Sequence, residues 1–363
     1  MNYFDESYSL FFENLQNSVL FYVRKECMIR FIFGVLIGIV CFYLFANELN
    51  WKDLWLQIQT LRLFWLALAI CSLLLEFGIR TLRWKVILSA IQPTKFQDLF
   101  IGQVIGATLN TLLPLRMGEL AKPSIVSKRS SIPFMSVAAT AVMERVYDLL
   151  GMVSVLVFMV LFLQPILNPQ PDQVELIENL KFYGGIFGLI AMSAMAIFFY
   201  LASQKETARH IFFKITSIAP KPIQNIFMTL FDGFVSGLGN STDTKGIWLA
   251  GSLSIAMWLN GAFAIYCLFK AFALTLPFGA ACFIGVAIAL AVALPQAPGF
   301  IGVFHVVIEN TMLLWGQNPE IAKGFALVFW AVSFIPITLV GLFFVLREDI
   351  QLATLWKKQS EKP

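Results

Sequence analysis

An arginine and a glutamate stand in the middle of an otherwise apolar part of the chain. Arg116 and Glu119 follow Pro114 within about one helical turn, directly after the apolar run that ends near Leu113. A charged side chain near the centre of a bilayer costs about 2.5–3.5 kcal/mol on insertion scales. These two side chains therefore need ion pairing, water or a polar substrate to offset that cost.

The residues next to this pair suit the binding of an anion. Pro114 fits the first position of a helix, and Pro123 is expected to end that helix after about two turns, over 115–122. The free backbone N–H groups and the dipole at such a helix start attract anions. Arg116 adds a planar fork for phosphate or carboxylate, and Glu119 lies on the same helical face.

Two interpretations of this segment remain open. In the first, Asn110, Arg116 and Glu119 form a polar cradle for an anionic head group, and Lys122 follows on the same face. In the second, Arg116 and Glu119 only pair with each other in a cytoplasmic loop and contact no ligand. Because Asn110 and the helix-breaking Pro114 coincide with the charges, the binding interpretation is favoured.

A second group of charges lies inside the long apolar run 132–163. Glu144 and Asp148 are one helical turn apart, and Arg145 is adjacent to Glu144. Counted from Ile132, Glu144 lies about 18 Å along a helix. Ionisable groups within a span normally face the interior of the helix bundle and pair there, so we expect the same here. The alternative is that this part of the helix extends into the cytoplasm.

A third set of polar residues lies in and after a Pro-Gln-Ala-Pro-Gly break. Gln296 is part of the break, and His305 and Glu309 follow it one helical turn apart. All three are candidate contacts for the substrate. The last two suit a proton relay or a cation contact, or form structural hydrogen bonds. No metal site and no cofactor are expected, because the only other histidine is His210 and the five cysteines form no CxxC pair.

One charged pattern fits the end of a membrane span. Glu76, Arg80 and Arg83 repeat at helical spacing, and Trp84 follows them. Cations that reach towards the interface and a tryptophan anchor are typical of such an end. We therefore expect these residues to anchor a helix at the interface, with contact to lipid phosphates as the alternative.

The elements that must position these residues are membrane helices. Mean hydropathy is +0.77, and only 13% of the residues are charged, against about 25% in a typical globular domain. Several apolar runs reach the roughly 20 residues that cross a bilayer. We expect an all-α polytopic membrane protein with about six to eight transmembrane helices, one or two of them broken or re-entrant. Predicted spans are 31–47, 63–79, 132–163, 182–201, 247–270 and 323–346.

The charges of the loops predict the orientation. Three loops and the tail are basic and are assigned to the cytoplasm, as are both termini, whereas the acidic loop 164–181 and the uncharged loop 271–277 are assigned outside. Basic loops flank the short run 98–113 on both sides, which predicts that this run enters and leaves on one face. The run 278–316 is either a re-entrant hairpin from the other face or two short spans.

A weak internal echo links the two breaks. Leu113-Pro114-x-x-x-Gly118 returns as Leu294-Pro295-x-x-x-Gly299. Paired broken helices of this kind mark the substrate site in many transporters. Close helix packing is predicted at the Gly-x-x-x-Gly motifs that start at Gly34 and Gly184. The expected organisation is an N-terminal cytoplasmic or interfacial extension over 1–27, a membrane domain over 28–350 and a cytoplasmic tail over 351–363.

Together these motifs resemble a known family. The pattern Asn-x-x-x-Pro-x-Arg-x-Gly-Glu from Asn110, then Glu-Arg-Val-x-Asp from Glu144 and Pro-Gly-x-x-Gly from Pro298, resembles the transmembrane region of lysylphosphatidylglycerol synthases. This region also occurs as stand-alone flippase-like proteins, and the resemblance covers about 30–350. Phe300 and His305 replace a glycine and a glutamate of the family pattern, so a role for that glutamate does not carry over.

The resemblance implies a translocase for lipids or lipid-linked molecules. The polar or anionic head group would contact the charged positions, and this sequence is expected to correspond to the membrane region without the synthase domain. Alternatives are an intramembrane lipid-modifying enzyme, although no catalytic or nucleotide-binding motif is seen, and a non-transporting membrane partner. The expected partners are the bilayer, a lipid substrate and a lipid-synthesis enzyme, with no nucleic acid, and the expected location is the bacterial cytoplasmic membrane. The sequence names neither the lipid nor the oligomeric state.

Overall fold

The computed structural model describes residues 51–112, 116–162, 205–217, 244–292 and 298–347, with a few single positions between them. Some predictions fall on residues outside these ranges, of which at most single positions are described. These residues are 1–27, 31–47, 182–201 and 351–363, together with Pro114, Pro295 and Gln296. The described part contains ten α-helices and no strand. They are α1 Trp51–Gln59, α2 Leu63–Ser89, α3 Phe96–Leu112, α4 Gly118–Ser130, α5 Phe134–Phe162, α6 Lys205–Thr216, α7 Thr244–Ala271, α8 Phe278–Val292, α9 Val303–Leu314 and α10 Pro319–Arg347.

Three described helices are long and apolar enough to cross a membrane. They are α2, the segment Lys245–Ala271 of α7, and α10. The helix α5 has 29 residues, about 43 Å at 1.5 Å per residue, which exceeds the roughly 30 Å of a hydrocarbon core. The predicted helical membrane fold is confirmed in the described residues, and α2 continues well past the predicted end at residue 79.

Helices α3 and α4 form an antiparallel hairpin, the first hairpin. A Cβ added to Gly118 would lie 1.8 Å from the carbonyl oxygen of Gly106, and one added to Gly102 would lie 2.6 Å from a methyl of Val126. The helices therefore approach as closely as they do only because these positions lack a side chain. At the open end, Arg129 pairs with Asp98 at 2.8 Å, so the chain leaves this hairpin near the point where it enters.

Two expectations for this segment were wrong. The helix α4 begins at Gly118 rather than at residue 115, and it continues through Pro123 to Ser130. Proline removes one backbone hydrogen bond from a helix interior, but the close packing of α4 on α3 holds the helix together. Residues 118–130, which were expected to lie in a basic cytoplasmic loop, therefore form the returning arm of the first hairpin.

The predicted second break is confirmed, and its arms α8 and α9 form the second hairpin. A short 3₁₀ turn, Pro298–Phe300, precedes α9, and Gly299 and Gly302 have φ values of 70° and 96°, which favour glycine. The described arms have 15 and 12 residues, about 22 and 18 Å. Each arm is shorter than a hydrocarbon core, which favours the re-entrant alternative over two complete spans.

The two hairpins open towards opposite ends of α2. At the start of α2, the N–H of Arg62 donates to the carbonyl of Ala271, where α7 ends and the second hairpin follows. Past the other end of α2, Gln92 donates to the carbonyl of Ser130 at the open end of the first hairpin. The closed ends of both hairpins therefore point towards the middle of the bundle.

Candidate functional site

Nine charged side chains meet where α2, α4 and α5 come together. We refer to them as the charged cluster. It contains five basic and four acidic groups, which leaves one positive charge in excess. Its members are Glu76, Arg80, Arg83, Arg116, Glu119, Lys122, Glu144, Arg145 and Asp148.

The buried part of the cluster joins α4 to α5. The ammonium group of Lys122 pairs with Glu144, and the two side chains are only 7% and 3% exposed. The same ammonium lies 4.1 Å from the centroid of the Trp84 ring, a cation–π contact. The indole N–H of Trp84 donates to the hydroxyl of Thr140 at 3.0 Å. This fully buried tryptophan therefore fixes the lysine from a third helix, α2.

Arg83 ties three helices together in the same layer. Its guanidinium lies 2.7 Å from Asp148 Oδ1 and 3.9 Å from Glu144 Oε1 on α5. It also donates to the hydroxyl of Ser254 on α7 at 3.0 Å. Because the Arg83 side chain is 1% exposed, its charge is balanced by these carboxylates rather than by solvent.

The remaining part of the cluster is more accessible to solvent. Arg145 pairs with both carboxylate oxygens of Glu119 and lies 3.2 Å from Asp148 Oδ2. Arg116 lies 3.6 Å from Glu119 Oε1, and the amide of Asn110 donates to the same oxygen at 3.4 Å. The side chains of Arg145 and Arg116 are 46% and 34% exposed, so both arginines can reach a ligand.

The backbone and the charges near the start of α4 are unusual. Arg116 has a φ of 55°, a left-handed conformation that is costly for a residue with a side chain. Glu119 lies on α4, which is too short and too polar to span a membrane. Arg145 contacts both of its carboxylate oxygens, and Arg116 lies near one of them. Glu119 is therefore a carboxylate that holds the accessible arginines near the cavity.

The cluster forms one wall of a cavity of about 570 Å³. Most of the remaining lining is apolar, so the cavity is amphipathic. Its charged lining consists of Glu76, Arg80, Arg116, Glu119, Lys122, Arg145 and Asp148. Its aromatic lining includes Phe300, Phe304, Phe329 and Phe334.

The structure brings together most of the residues that the sequence singled out. Asn110, Arg116, Glu119, Arg145 and Asp148 line the cavity, and Glu144 is buried directly behind it.

His305 and Glu309 do not lie in the cavity wall. His305 is 1% exposed and accepts a hydrogen bond from the Gly302 N–H at 3.4 Å. Glu309 lies 3.9 Å from Lys323. Gln296 is outside the described residues, so its predicted role stays a prediction.

The prediction that the charged end of α2 anchors a helix at the membrane interface was wrong. Arg83 and Trp84 are fully buried, so they do not anchor a helix at the interface. Arg80 pairs with Glu76 at 2.9 Å, and both line the cavity. The sequence did contain a signal for this burial. Gly102 and Gly106 are four residues apart on α3, a spacing that predicts a tightly packed neighbouring helix.

Metal-binding chemistry finds no support in the residues that are described. Among them no three His, Cys, Asp or Glu side chains are grouped so that they could hold a metal ion. The carboxylates of the charged cluster instead face arginine and lysine, which repel a cation.

Comparisons with known proteins agree with the fold. Over residues 31–341 the sequence matches the family described as "Lysylphosphatidylglycerol synthase TM region". A UPF0104 membrane protein of Methanothermobacter thermautotrophicus is 25% identical over 294 residues, 77% of this chain and 83% of the relative. Another, from Methanocaldococcus jannaschii, is 22% identical over 247 residues, 67% and 95% of the two chains. No solved structure matches.

Proposed function

The chain belongs to the lysylphosphatidylglycerol synthase TM region family, and on this premise we propose that it moves a lipid or lipid-linked molecule across the membrane. The head group of that molecule would bind in the charged cavity. It is a membrane protein, and the charged and apolar parts of its cavity lining match the two halves of an amphiphile.

The observation that carries this proposal is the composition of the charged cluster. Four carboxylates face five cations, so an anionic head group would complete the charge balance. A guanidinium binds a phosphate through two parallel hydrogen bonds. Arg116 and Arg145 are the accessible arginines of the cluster that contact Glu119, and Arg116 makes only a long contact with it. An arriving phosphate would therefore bind Arg116 first.

The size of the cavity limits what enters it. Its volume of about 570 Å³ lies within the range of pockets for drug-sized ligands. A head group fits such a space, whereas the long tails of a membrane lipid would stay in the surrounding bilayer. The aromatic wall would contact the first part of a tail.

The predicted orientation is part of the proposal. The basic loops predict that the open end of the first hairpin faces the cytoplasm, so the charged cluster would lie closer to that face than to the other. The two relatives come from archaea, and we place the protein in the cytoplasmic membrane of a prokaryote.

Reconstitution in liposomes tests this function. Phosphatidylglycerol and cardiolipin labelled on an acyl chain, and polyprenyl phosphate labelled on its prenyl chain, are supplied, and a membrane-impermeant quencher reports their redistribution. We expect at least one of them to move faster with protein than without it. Loss of a hydrogen bond to a charged group costs about 1.5–3 kcal/mol, so Arg116→Gln should slow this movement about tenfold or more.

The matched control is Arg129→Gln. Arg129 lies on the same hairpin and also forms an ion pair, but it is not part of the cavity lining, so this variant should move lipid at the wild-type rate. If the wild-type protein redistributes no lipid of the panel, translocation is refuted. If the lipids are chemically altered during the incubation, the protein is an enzyme instead.

A further inference from the structure

An aromatic layer lines the part of the cavity that the second hairpin and α10 supply. It consists of Phe300 and Phe304 of the second hairpin with Phe329 and Phe334 of α10. The ring centroid of Phe304 lies 5.3 Å from that of Phe329 and 5.5 Å from that of Phe334. The ring of Phe300 stacks on that of Phe334, with a centroid distance of 5.3 Å.

The structure is densely packed beyond this layer. Three of its phenylalanines belong to the largest buried core of the described residues, which extends to the end of the bundle where α7 stops. Phe269, Ile308 and Phe325 in that core are 0% exposed. The cavity is thus lined by charges at one end and blocked by aromatic and aliphatic side chains at the other.

A second charged pair lies on the far side of the aromatic layer. Glu309 and Lys323 are 3.9 Å apart, with side chains only 18% and 10% exposed. They belong to α9 and α10, the two helices that also carry Phe304 and Phe329. Glu309 is five positions after Phe304, about 7.5 Å along a helix. The pair therefore follows the aromatic layer in the direction of the blocked end.

From this arrangement we propose that the aromatic layer is a gate between α9 and α10, and that Glu309 and Lys323 form a second binding site for the anionic head group beyond it. This inference rests on the proposed function. The head group leaves the charged cluster, passes Phe304 and Phe329 when the second hairpin separates from α10, and then contacts the ammonium of Lys323.

The gate has a structural basis in the second hairpin. The break before α9 depends on glycine conformations at Gly299 and Gly302. The indole N–H of Trp330 on α10 donates to the carbonyl of Gly299 at 2.7 Å. Among the described residues, this hydrogen bond and a set of ring contacts connect the start of the second arm to α10.

Thiol labelling tests the gate without any lipid transport. Ile308→Cys is introduced after the five native cysteines are replaced, and its reaction with a membrane-impermeant maleimide is followed in liposomes. Phe304→Ala should raise the labelling rate about tenfold. It removes the ring contacts with Phe329 and Phe334 and so lowers the barrier to opening, and a barrier lower by about 1.4 kcal/mol gives a tenfold faster rate. Phe304→Leu should give a smaller increase, and Phe343→Ala, on the lipid-exposed side of α10, should give none.

Lipid redistribution tests the second site. Lys323→Gln should slow the movement of the anionic lipid about tenfold, whereas Lys270→Gln, a lysine on α7 that packs on Tyr266, should leave it unchanged. Equal rates for the two variants would overturn the second site, and unchanged labelling in Phe304→Ala would overturn the gate. If the wild-type protein moves no lipid, the proposed function fails, while the labelling result still decides whether the gate exists.

Discussion

At the scale of residues, the charged cluster divides by exposure into two parts with different tasks. Arg83, Lys122 and Glu144 are buried and connect α2, α4, α5 and α7. Arg116 and Arg145 reach the cavity. A buried ion pair contributes little net stability compared with apolar residues, but the loss of one partner leaves an uncompensated charge. The buried part therefore sets the geometry that presents the two accessible arginines.

A single substitution in the buried part should be strongly destabilising. Glu144→Gln removes the carboxylate that pairs with Lys122 and weakens the balance at Arg83, so the free energy of unfolding should fall by about 3–5 kcal/mol. Thermal unfolding in detergent measures the effect as a lower Tm. The paired replacement Lys122→Met with Glu144→Leu removes both charges and should restore most of the lost stability. A paired variant as unstable as Glu144→Gln would contradict this account.

At the scale of elements, the first hairpin positions the site through the close approach of α3 and α4. Gly102, Gly106 and Gly118 bring the two backbones together, and this contact holds Asn110 next to Glu119. The start of α4 then carries Arg116 and Glu119 to the cavity. A change that separates the two helices should damage the site without altering any charge.

Gly118→Ala makes such a change. The new Cβ would lie 1.8 Å from the carbonyl oxygen of Gly106, so α3 and α4 must move apart, at a cost of about 1–3 kcal/mol. We expect a lower Tm in detergent together with slower lipid redistribution. Gly78→Ala on α2 is the control, because nothing lies within 4 Å of its added Cβ, and it should match the wild type. Equal behaviour of the two variants would show that the close approach is dispensable.

The sequence predicted the elements better than their contacts. Hydropathy located the described membrane helices α2, α7 and α10, and Pro298 and Gly299 located the second break, because the local sequence alone determines these features. The burial of Arg83 and Trp84 escaped prediction, since cations and a tryptophan at a helix end fit an interface as well as a core. Pro123 was taken to end a helix that tertiary packing in fact preserves. Which helical faces meet depends on the whole bundle, and one sequence does not encode it in any local pattern.

At the scale of the whole molecule, the two hairpins open at opposite ends of the bundle and point towards each other. The first hairpin supplies part of the charged wall of the cavity, and the second supplies part of the aromatic layer. Opposed broken elements of this kind occur at the substrate sites of many transporters. The arrangement places the cavity between the two faces of the membrane.

Opposite orientation has a direct consequence for accessibility. Lys128 is exposed at the open end of the first hairpin, and Asn318 is exposed beyond the second hairpin, before α10. In a protein without other cysteines, Lys128→Cys and Asn318→Cys should react with an impermeant maleimide from opposite faces of sealed vesicles. Detergent-opened vesicles provide the control in which both react. Labelling of both from one face would contradict the opposed hairpins.

The most direct test of the central claim compares head groups at the charged cavity. Two lipids carry the same labelled acyl chains, one the fastest anionic phospholipid of the liposome panel and the other an uncharged glycosyl diacylglycerol. The wild-type protein should move the anionic lipid about tenfold faster than the uncharged one, and Arg116→Gln should abolish this preference while Arg129→Gln keeps it. The same preference in the wild-type protein and in Arg116→Gln would contradict the claim that the charged cavity binds the head group.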